Sequence, residues 1–78
     1  MEILLFGITR DIVGDHTLVW QGAKPESVGQ LRKMLIERYP EFQSLSSLAI
    51  AVNSELTSED HPVSDTDELA LIPPVSGG

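Results

Sequence analysis

The chain contains no cysteine among its 78 residues. A disulfide therefore cannot stabilise the fold, and no thiol is available as a nucleophile or as a soft metal ligand. A domain of this length buries only about 60% of the surface of its unfolded chain, so it is marginally stable alone. We expect a well-packed sheet, a partner protein or both to supply the missing stability.

Basic residues are scarce. Five Lys and Arg residues against twelve Asp and Glu residues give a formal net charge of −7. Such a surface repels phosphate backbones, and one Trp, one Tyr and two Phe do not make a platform for base stacking, so nucleic acid is not an expected partner. The acidity suits either docking on a basic protein surface or simple solubility, and composition does not separate the two.

Long apolar runs are also missing. The first run, residues 3–6, lacks the basic region and the length of a signal peptide. No stretch approaches the roughly 20 apolar residues of a membrane span. By default we expect a cytoplasmic protein without a membrane partner.

The sequence has no familiar catalytic motif: no Cys–His pair, no G-x-S-x-G, no P-loop and no G-x-G-x-x-G. Glu55, Glu59 and Asp60 are a candidate carboxylate cluster for Ca²⁺ or Mg²⁺, but they lack the EF-hand order and suit a solvated loop better. His61 is a candidate base, although loop histidines more often bond to backbone. We expect neither a metal site nor an active site in the body of the chain.

Short apolar runs predict strands at residues 3–6, 16–20, 48–53, 55–57 and 68–72. One clear helix begins after Ser27, whose pairing with Gln30 forms a capping box, and ends before Pro40. Residues 7–14 fit either a helical turn or a loop, with three apolar side chains tucked under it: Ile8, Ile12 and Val13. The order β-β-α-β-β-β predicts an α+β protein with the helix on one face of the sheet.

Strand alternation assigns side chains to the two faces of this sheet. If Leu5 and Leu71 face the helix, then Phe6 and Ile72 face away from it. Together with Leu56, these two side chains are predicted to form an apolar docking patch. Scattered surface residues are the alternative interpretation.

The last six residues, 73–78, are predicted to be an extended tail on a single domain that covers residues 1–78. Pro73 and Pro74 remove two backbone donors and so end the sheet, while Gly77 and Gly78 have no side chain and fit a narrow channel. The carboxylate of Gly78 becomes reactive once it acquires a leaving group, most directly AMP. The alternative is a frayed end without function.

The ending P-P-V-S-G-G follows two further segments, D-H-P-V at residues 60–63 and D-T-D-E-L at residues 65–69. With these motifs the whole chain resembles the small subunit of molybdopterin synthase, the MoaD family of sulfur carriers. Thr66 departs from the glycine that the family often has, which leaves the type of turn over Asp65, Thr66 and Asp67 open because threonine resists positive φ.

The resemblance implies a β-grasp (ubiquitin-like) fold with a mixed sheet of four to five strands and one main helix. It also implies that an E1-like enzyme uses ATP to adenylate Gly78, and that sulfur from a sulfurtransferase then replaces AMP to give a thiocarboxylate. The subunit would bind no cofactor and have no active site of its own. Its tail would enter the large synthase subunit and donate sulfur to cyclic pyranopterin monophosphate, in a heterotetramer of two large and two small subunits. The inserted residues would be Pro73, Pro74, Val75, Ser76 and Gly77.

Other interpretations stay open at this point. The chain also fits a sulfur carrier for thiazole or tungsten cofactor synthesis, a ubiquitin-like protein modifier, or an interaction module with an inert tail. A terminal Gly-Gly alone does not separate them, because ubiquitin-like proteins share it.

Overall fold

The computed structural model describes residues 1–45 and 48–73. In chain order the elements are strand β1 (Glu2–Leu5), helix α1 (Ile8–Val13), strand β2 (Thr17–Val19), helix α2 (Val28–Arg38), a 3-10 helix (Pro40–Ser44), and strands β3 (Ala49–Val52), β4 (Glu55–Leu56) and β5 (Leu69–Ile72).

The five strands form one sheet in the order β2-β1-β5-β3-β4. The central pair, β1 and β5, is parallel, and the other neighbouring pairs are antiparallel. The predicted α+β class with a mixed sheet and one main helix is therefore confirmed. Because β1 and β5 run in the same direction, their carboxyl ends meet at one edge of the sheet, which we call the tail edge.

The core lies between the sheet and α2. Alternate strand residues face inward and are buried to within a few per cent, while α2 contributes one apolar side of its helix. The inward faces are those that alternation predicts, and Phe42 of the 3-10 helix packs into the same core. The central members are Ile3, Leu5, Leu18, Val28, Leu31, Leu35, Ile50, Val52, Leu69 and Leu71.

Helix α2 begins as the sequence predicts, with one difference. Ser27 Oγ accepts a hydrogen bond from the Gln30 backbone N–H at 3.2 Å. The Gln30 side chain reaches back to the backbone N–H of Glu26 rather than to that of Ser27. The side chain of Gln30 therefore bonds one residue earlier than in a standard capping box. The motif still satisfies backbone donors at the start of the helix.

The segment from Glu59 to Val63 completes this helix start. The backbone N–H of Val28 donates to His61 O at 3.0 Å, and that of Gly29 donates to Glu59 O at 2.8 Å. A Cβ added to Gly29 would lie 3.2 Å from that same Glu59 oxygen. The glycine inside the helix is thus explained by close packing on this segment.

Residues 8–13 form a helix, which resolves the choice between a turn and a loop. Helix α1 ends at Gly14, whose φ of 90° is left-handed. Ile12 and Val13 pack against the core as predicted. The prediction for Ile8 is wrong, because 47% of this residue is exposed.

Two turns near the start of β5 are tied together. Asn53 and Ser54 have φ values of 52° and 69°, so they form the tight turn that the sequence predicts between β3 and β4. In the second turn the Asp67 N–H donates to Ser64 O at 3.1 Å, and Thr66 is not among the described residues with positive φ. Threonine therefore fits this turn without strain. Asn53 Nδ2 donates to the Asp67 carboxylate at 3.0 Å and joins the two turns.

This arrangement predicts an acid-dependent contribution to stability. The Ser64 backbone N–H and the Asn53 amide hold the pKa of Asp67 below its ordinary value of 3.8. A carboxyl group with a lowered folded-state pKa stabilises the fold above its unfolded pKa, and this stabilisation is lost as pH falls through the folded value. Asp67→Asn is therefore expected to be less stable than wild type at neutral pH, with a difference that shrinks below about pH 4. Urea unfolding across this range measures it, and a pH-independent difference would contradict the assignment.

Candidate functional site

The predicted tail leaves the sheet at the tail edge. Leu5 of β1 pairs with Leu71 of β5, so the residues that follow them, Phe6 and Ile72, come side by side. Pro73 is the last described residue before the end of the chain. The remaining tail positions, with the reactive Gly78, lie outside the described residues, and their predicted roles stay predictions: Pro74, Val75, Ser76, Gly77 and Gly78.

Gly7 lies against Pro73, the base of the tail. Its φ of 57° and ψ of −134° belong to a region that glycine adopts without the steric cost of a side chain. A Cβ at this position would lie 3.0 Å from Cγ of Pro73. The bare backbone therefore allows the proline ring to lie against the turn that follows β1. Sequence reasoning missed this contact, because it depends on the pairing of the first strand with the last.

Thr9 holds the backbone of the same turn through hydrogen bonds to Phe6. This side chain is fully buried, and its Oγ1 donates to Phe6 O at 2.6 Å and accepts from the Phe6 N–H at 2.8 Å. One hydroxyl thus bonds both backbone groups of Phe6, just beyond the last residue of β1, and the Phe6 O also accepts from the Thr9 backbone N–H at 3.2 Å. The position of the Phe6 side chain on the outer face consequently depends on Thr9, which the sequence analysis did not single out.

Replacement of Thr9 by valine tests this anchor. Thr9→Val keeps the shape of the side chain but leaves the Phe6 N–H without its hydroxyl partner, while the Phe6 O keeps the Thr9 backbone N–H, and this is expected to cost about 1–3 kcal/mol of unfolding free energy. Urea unfolding measures the loss. Thr17→Val is the matched control, because the Thr17 hydroxyl makes no hydrogen bond to the described residues, and its effect is expected to stay within about 0.5 kcal/mol. Equal effects of the two exchanges would contradict the anchoring role.

The outer face of the sheet carries the predicted patch. Phe6, Leu56 and Ile72 are 43%, 70% and 38% exposed, so the sequence analysis placed all three on the surface correctly. Small side chains lie between them: Ile72 is opposite Ala49, and Ala51 is opposite both Ala70 and Leu56. We call the three large residues, together with the partly exposed Ala49 and Ala70, the outer patch; Ala51 is only 3% exposed and is not counted in it. The outer patch is a shallow apolar surface that reaches the base of the tail.

The opposite edge of the same face is acidic. Glu2 and Leu4 of β1, with residues 65–68, line a pocket of about 280 Å³. Four of these six residues are Asp or Glu. The face is therefore apolar towards the tail and negative at the far end, which suits a partner surface that is apolar at its centre and basic at one side.

The other candidates from the sequence do not assemble into a site. Glu59 pairs with Arg32 at 2.7 Å, which separates its role from Glu55 and Asp60. The backbone O of His61 accepts from the Val28 N–H at the start of α2, and its N–H donates to Ser58 O at 3.1 Å. Across residues 1–45 and 48–73, no three His, Asp or Glu side chains are grouped so that they can hold a metal ion. No helix in this part of the chain is both long and apolar enough to cross a membrane.

The single tryptophan has a structural role. Trp20 is 9% exposed, and its Nε1 donates to Ala23 O at 2.9 Å. The Arg38 guanidinium lies 4.6 Å from the centre of the ring. This packing joins β2 to the end of α2, away from the tail edge.

Comparisons with known proteins agree with this architecture. The ThiS family matches residues 3–78. The chain is 38% identical to the molybdopterin synthase sulfur carrier subunit of Escherichia coli (strain K12), over 100% of this chain and 99% of that protein.

Solved structures show the same fold. The crystal structure of SAMP1 from Haloferax volcanii has a TM-score of 0.77 and 27% identity, over 99% of this chain and 97% of that chain. A chain in the complex of subunits 1 and 2 of molybdopterin-converting factor from Helicobacter pylori 26695 has a TM-score of 0.64 and 28% identity, over 99% of this chain and 96% of that one. The fold is the ubiquitin-like β-grasp. The chain therefore belongs to the ThiS family and, within it, to the molybdopterin synthase sulfur carrier subunits that its sequence resembles.

Proposed function

We propose that this protein is the sulfur carrier subunit of molybdopterin synthase and that the carboxyl group of Gly78 carries the sulfur. The observation that supports this most directly is the 38% identity to the Escherichia coli carrier subunit over nearly the whole length of both proteins. The geometry fits, because an apolar face and the base of the tail meet at one edge of a compact sheet.

The reaction sequence begins with activation of the Gly78 carboxylate. A carboxylate oxygen of Gly78 attacks the α-phosphorus of ATP on an E1-like enzyme, so that diphosphate leaves and an acyl adenylate forms. A sulfur nucleophile supplied by a sulfurtransferase adds at the acyl carbon, and AMP leaves. When the sulfur is delivered from a persulfide, the product is an acyl disulfide. A thiol then attacks the donor's sulfur atom and forms a disulfide with it, which releases the thiocarboxylate. The activating enzyme binds the nucleotide, and the carrier supplies no catalytic side chain.

The outer patch docks on the large subunit of the synthase. The complex of subunits 1 and 2 from Helicobacter pylori, which contains a chain similar to this one, supports such a partner. The six residues from Pro73 to Gly78 would reach roughly 20 Å if fully extended, at about 3.3–3.6 Å each. Docking beside Ile72 therefore lets the tail deliver sulfur to cyclic pyranopterin monophosphate deep inside the partner.

The assembly that we propose contains two large and two small subunits and is cytoplasmic. It involves neither nucleic acid nor a membrane. The net charge of −7 supports the first of these exclusions, because an acidic surface repels a phosphate backbone.

Mass spectrometry of the C-terminal peptide tests this function. After incubation with ATP, the activating enzyme and a sulfur source, replacement of OH by SH is expected to add about 16 Da to the peptide. The reaction without ATP is the control and is expected to show no change. A protein modifier would instead give larger adducts through lysine. Such adducts, or an unaltered peptide under complete conditions, would overturn the proposed function.

A further inference from the structure

We propose that Arg10 and Phe6 form a receiving site for a carboxylate side chain of the large subunit, beside the point where the tail leaves the sheet. This inference rests on the proposed function, because it assumes that the large subunit docks at the tail edge. It adds a charged contact to the apolar outer patch and specifies the chemistry of the partner residue.

The Arg10 side chain is held in place before any partner arrives. Its Nε donates to the backbone oxygen of Leu5 at 3.0 Å, and its guanidinium carbon lies 5.7 Å from the centre of the Phe6 ring. The backbone of Phe6 is itself fixed by Thr9. An arginine that is already ordered loses less side-chain entropy on binding, which favours its use as a docking contact.

The terminal nitrogens of this guanidinium are available to a partner. A guanidinium has five N–H donors, and the bond to Leu5 uses the one on Nε. Within the described part of the chain, the ion pair within 4.0 Å is Arg32 with Glu59, and Arg10 has no such partner there. A carboxylate accepts two parallel hydrogen bonds from a guanidinium, so the terminal N–H groups of Arg10 can bind both oxygens of a partner carboxylate.

The distribution of basic residues makes Arg10 distinctive. Three of the other four are committed to contacts within the fold: Lys24 Nζ donates to Val63 O, Arg32 pairs with Glu59, and Arg38 lies over Trp20. The fourth, Lys33, is exposed on α2, on the helix side of the sheet. At the tail edge of an acidic protein, Arg10 is therefore the cation that a docking partner meets.

The surroundings favour a carboxylate on a protein over a free phosphate. Asp11 and Asp15 line a shallow pocket with Arg10 and His16, so an anion that enters this pocket meets two carboxylates. An approach along the exposed Phe6 ring meets apolar surface instead. A side-chain carboxylate at the margin of an apolar interface can follow this second route, because the surrounding apolar contacts offset its repulsion by the net charge of −7, whereas a free phosphate makes no such contacts.

The test measures the affinity of the carrier for the large subunit by calorimetry at two salt concentrations. Arg10→Gln is expected to raise Kd about 30-fold and to reduce the salt dependence of Kd, because a charge pair at the interface is lost. Arg10→Lys keeps the charge but loses the planar fork, so an intermediate increase of about fivefold is expected. Thermal unfolding of the free variants establishes that they fold.

Lys33→Gln is the matched control, because it changes the net charge equally but on the helix side. Its Kd is expected to stay within about twofold of wild type. Arg10→Glu is then combined with Asp→Lys and Glu→Lys exchanges on the tail-receiving face of the large subunit. One of these combinations is expected to bind at least tenfold more tightly than Arg10→Glu with the wild-type large subunit. Equal effects of Arg10→Gln and Lys33→Gln, or the absence of any restoring exchange, would refute the site. Wild-type carrier that does not bind the large subunit would refute the proposed function itself.

Discussion

The carrier that lacks Gly78 is expected to transfer sulfur about 1,000 times more slowly than the full chain, although it still ends in a glycine carboxyl group. The expected loss comes from reach and not from chemistry. Removal of one extended residue withdraws the thiocarboxylate by about 3.3–3.6 Å. A displacement of about 1 Å can already cost 100-fold in rate. The base of the tail does not follow, because Pro73 lies against Gly7.

Single-turnover kinetics with the large subunit and its pterin substrate measure this loss. Both carriers are prepared as thiocarboxylates by cleavage of an intein thioester with sulfide, so the activating enzyme does not affect the comparison. The shortened carrier is expected to bind the large subunit within about threefold of the full chain, since the outer patch is intact. Transfer at an undiminished rate would show that the position of Gly78 is not used and would refute the dependence of the transfer on reach.

Ile72→Asp is expected to weaken binding to the large subunit about 100-fold. Ile72 lies beside Phe6 and opposite Ala49 in the outer patch, and it is the residue directly before Pro73. In the complex a carboxylate at this position would be buried against apolar surface without a partner, which is strongly unfavourable. The free protein is expected to fold, because the side chain at this position points away from the core that Leu71 enters.

Titration calorimetry measures the affinity, and thermal unfolding checks the free variant. Val19→Asp is the control: Val19 is 55% exposed on the same face, but it lies on the edge strand β2 and outside the outer patch. Its effect on Kd is expected to stay within about threefold. Similar losses for the two variants would mean that the whole face, and not the outer patch, determines binding. Unchanged affinity of Ile72→Asp would refute the placement of the patch.

Alternation was sufficient to assign the faces of the strands, because a shift of one residue would move every apolar side chain of a strand to the wrong side. Helix α2 could also be predicted from the sequence, because Ser27, Gln30 and Pro40 mark its ends by local chemistry. Helix α1 could not, because six residues between two glycines are too few for a periodic pattern.

Some features of the candidate site could likewise be predicted from local patterns, and others could not. Exposure of Phe6 and Ile72 followed from strand alternation, whereas no local pattern assigned Leu56, which is also exposed. That Phe6 lies next to Ile72 depends on the parallel pairing of the first strand with the last, which no local signal encodes. Resemblance to a known family predicted the β-grasp fold where local patterns alone did not. The roles of Thr9 and Arg10 depend on backbone groups near the end of β1, so their residue types alone gave no indication of them.

The pairing of β1 with β5 also has a consequence for biosynthesis. Residues 2–5 are made before residues 69–72, but they cannot pair at the centre of the sheet until residues 69–72 have left the ribosome. Contacts between positions so distant in sequence form late, because the intervening loop must close first. A nascent or truncated chain therefore has neither the central strand pair nor the surface on which Phe6 and Ile72 meet. Partners that recognise this surface select molecules whose synthesis has already reached the base of the tail.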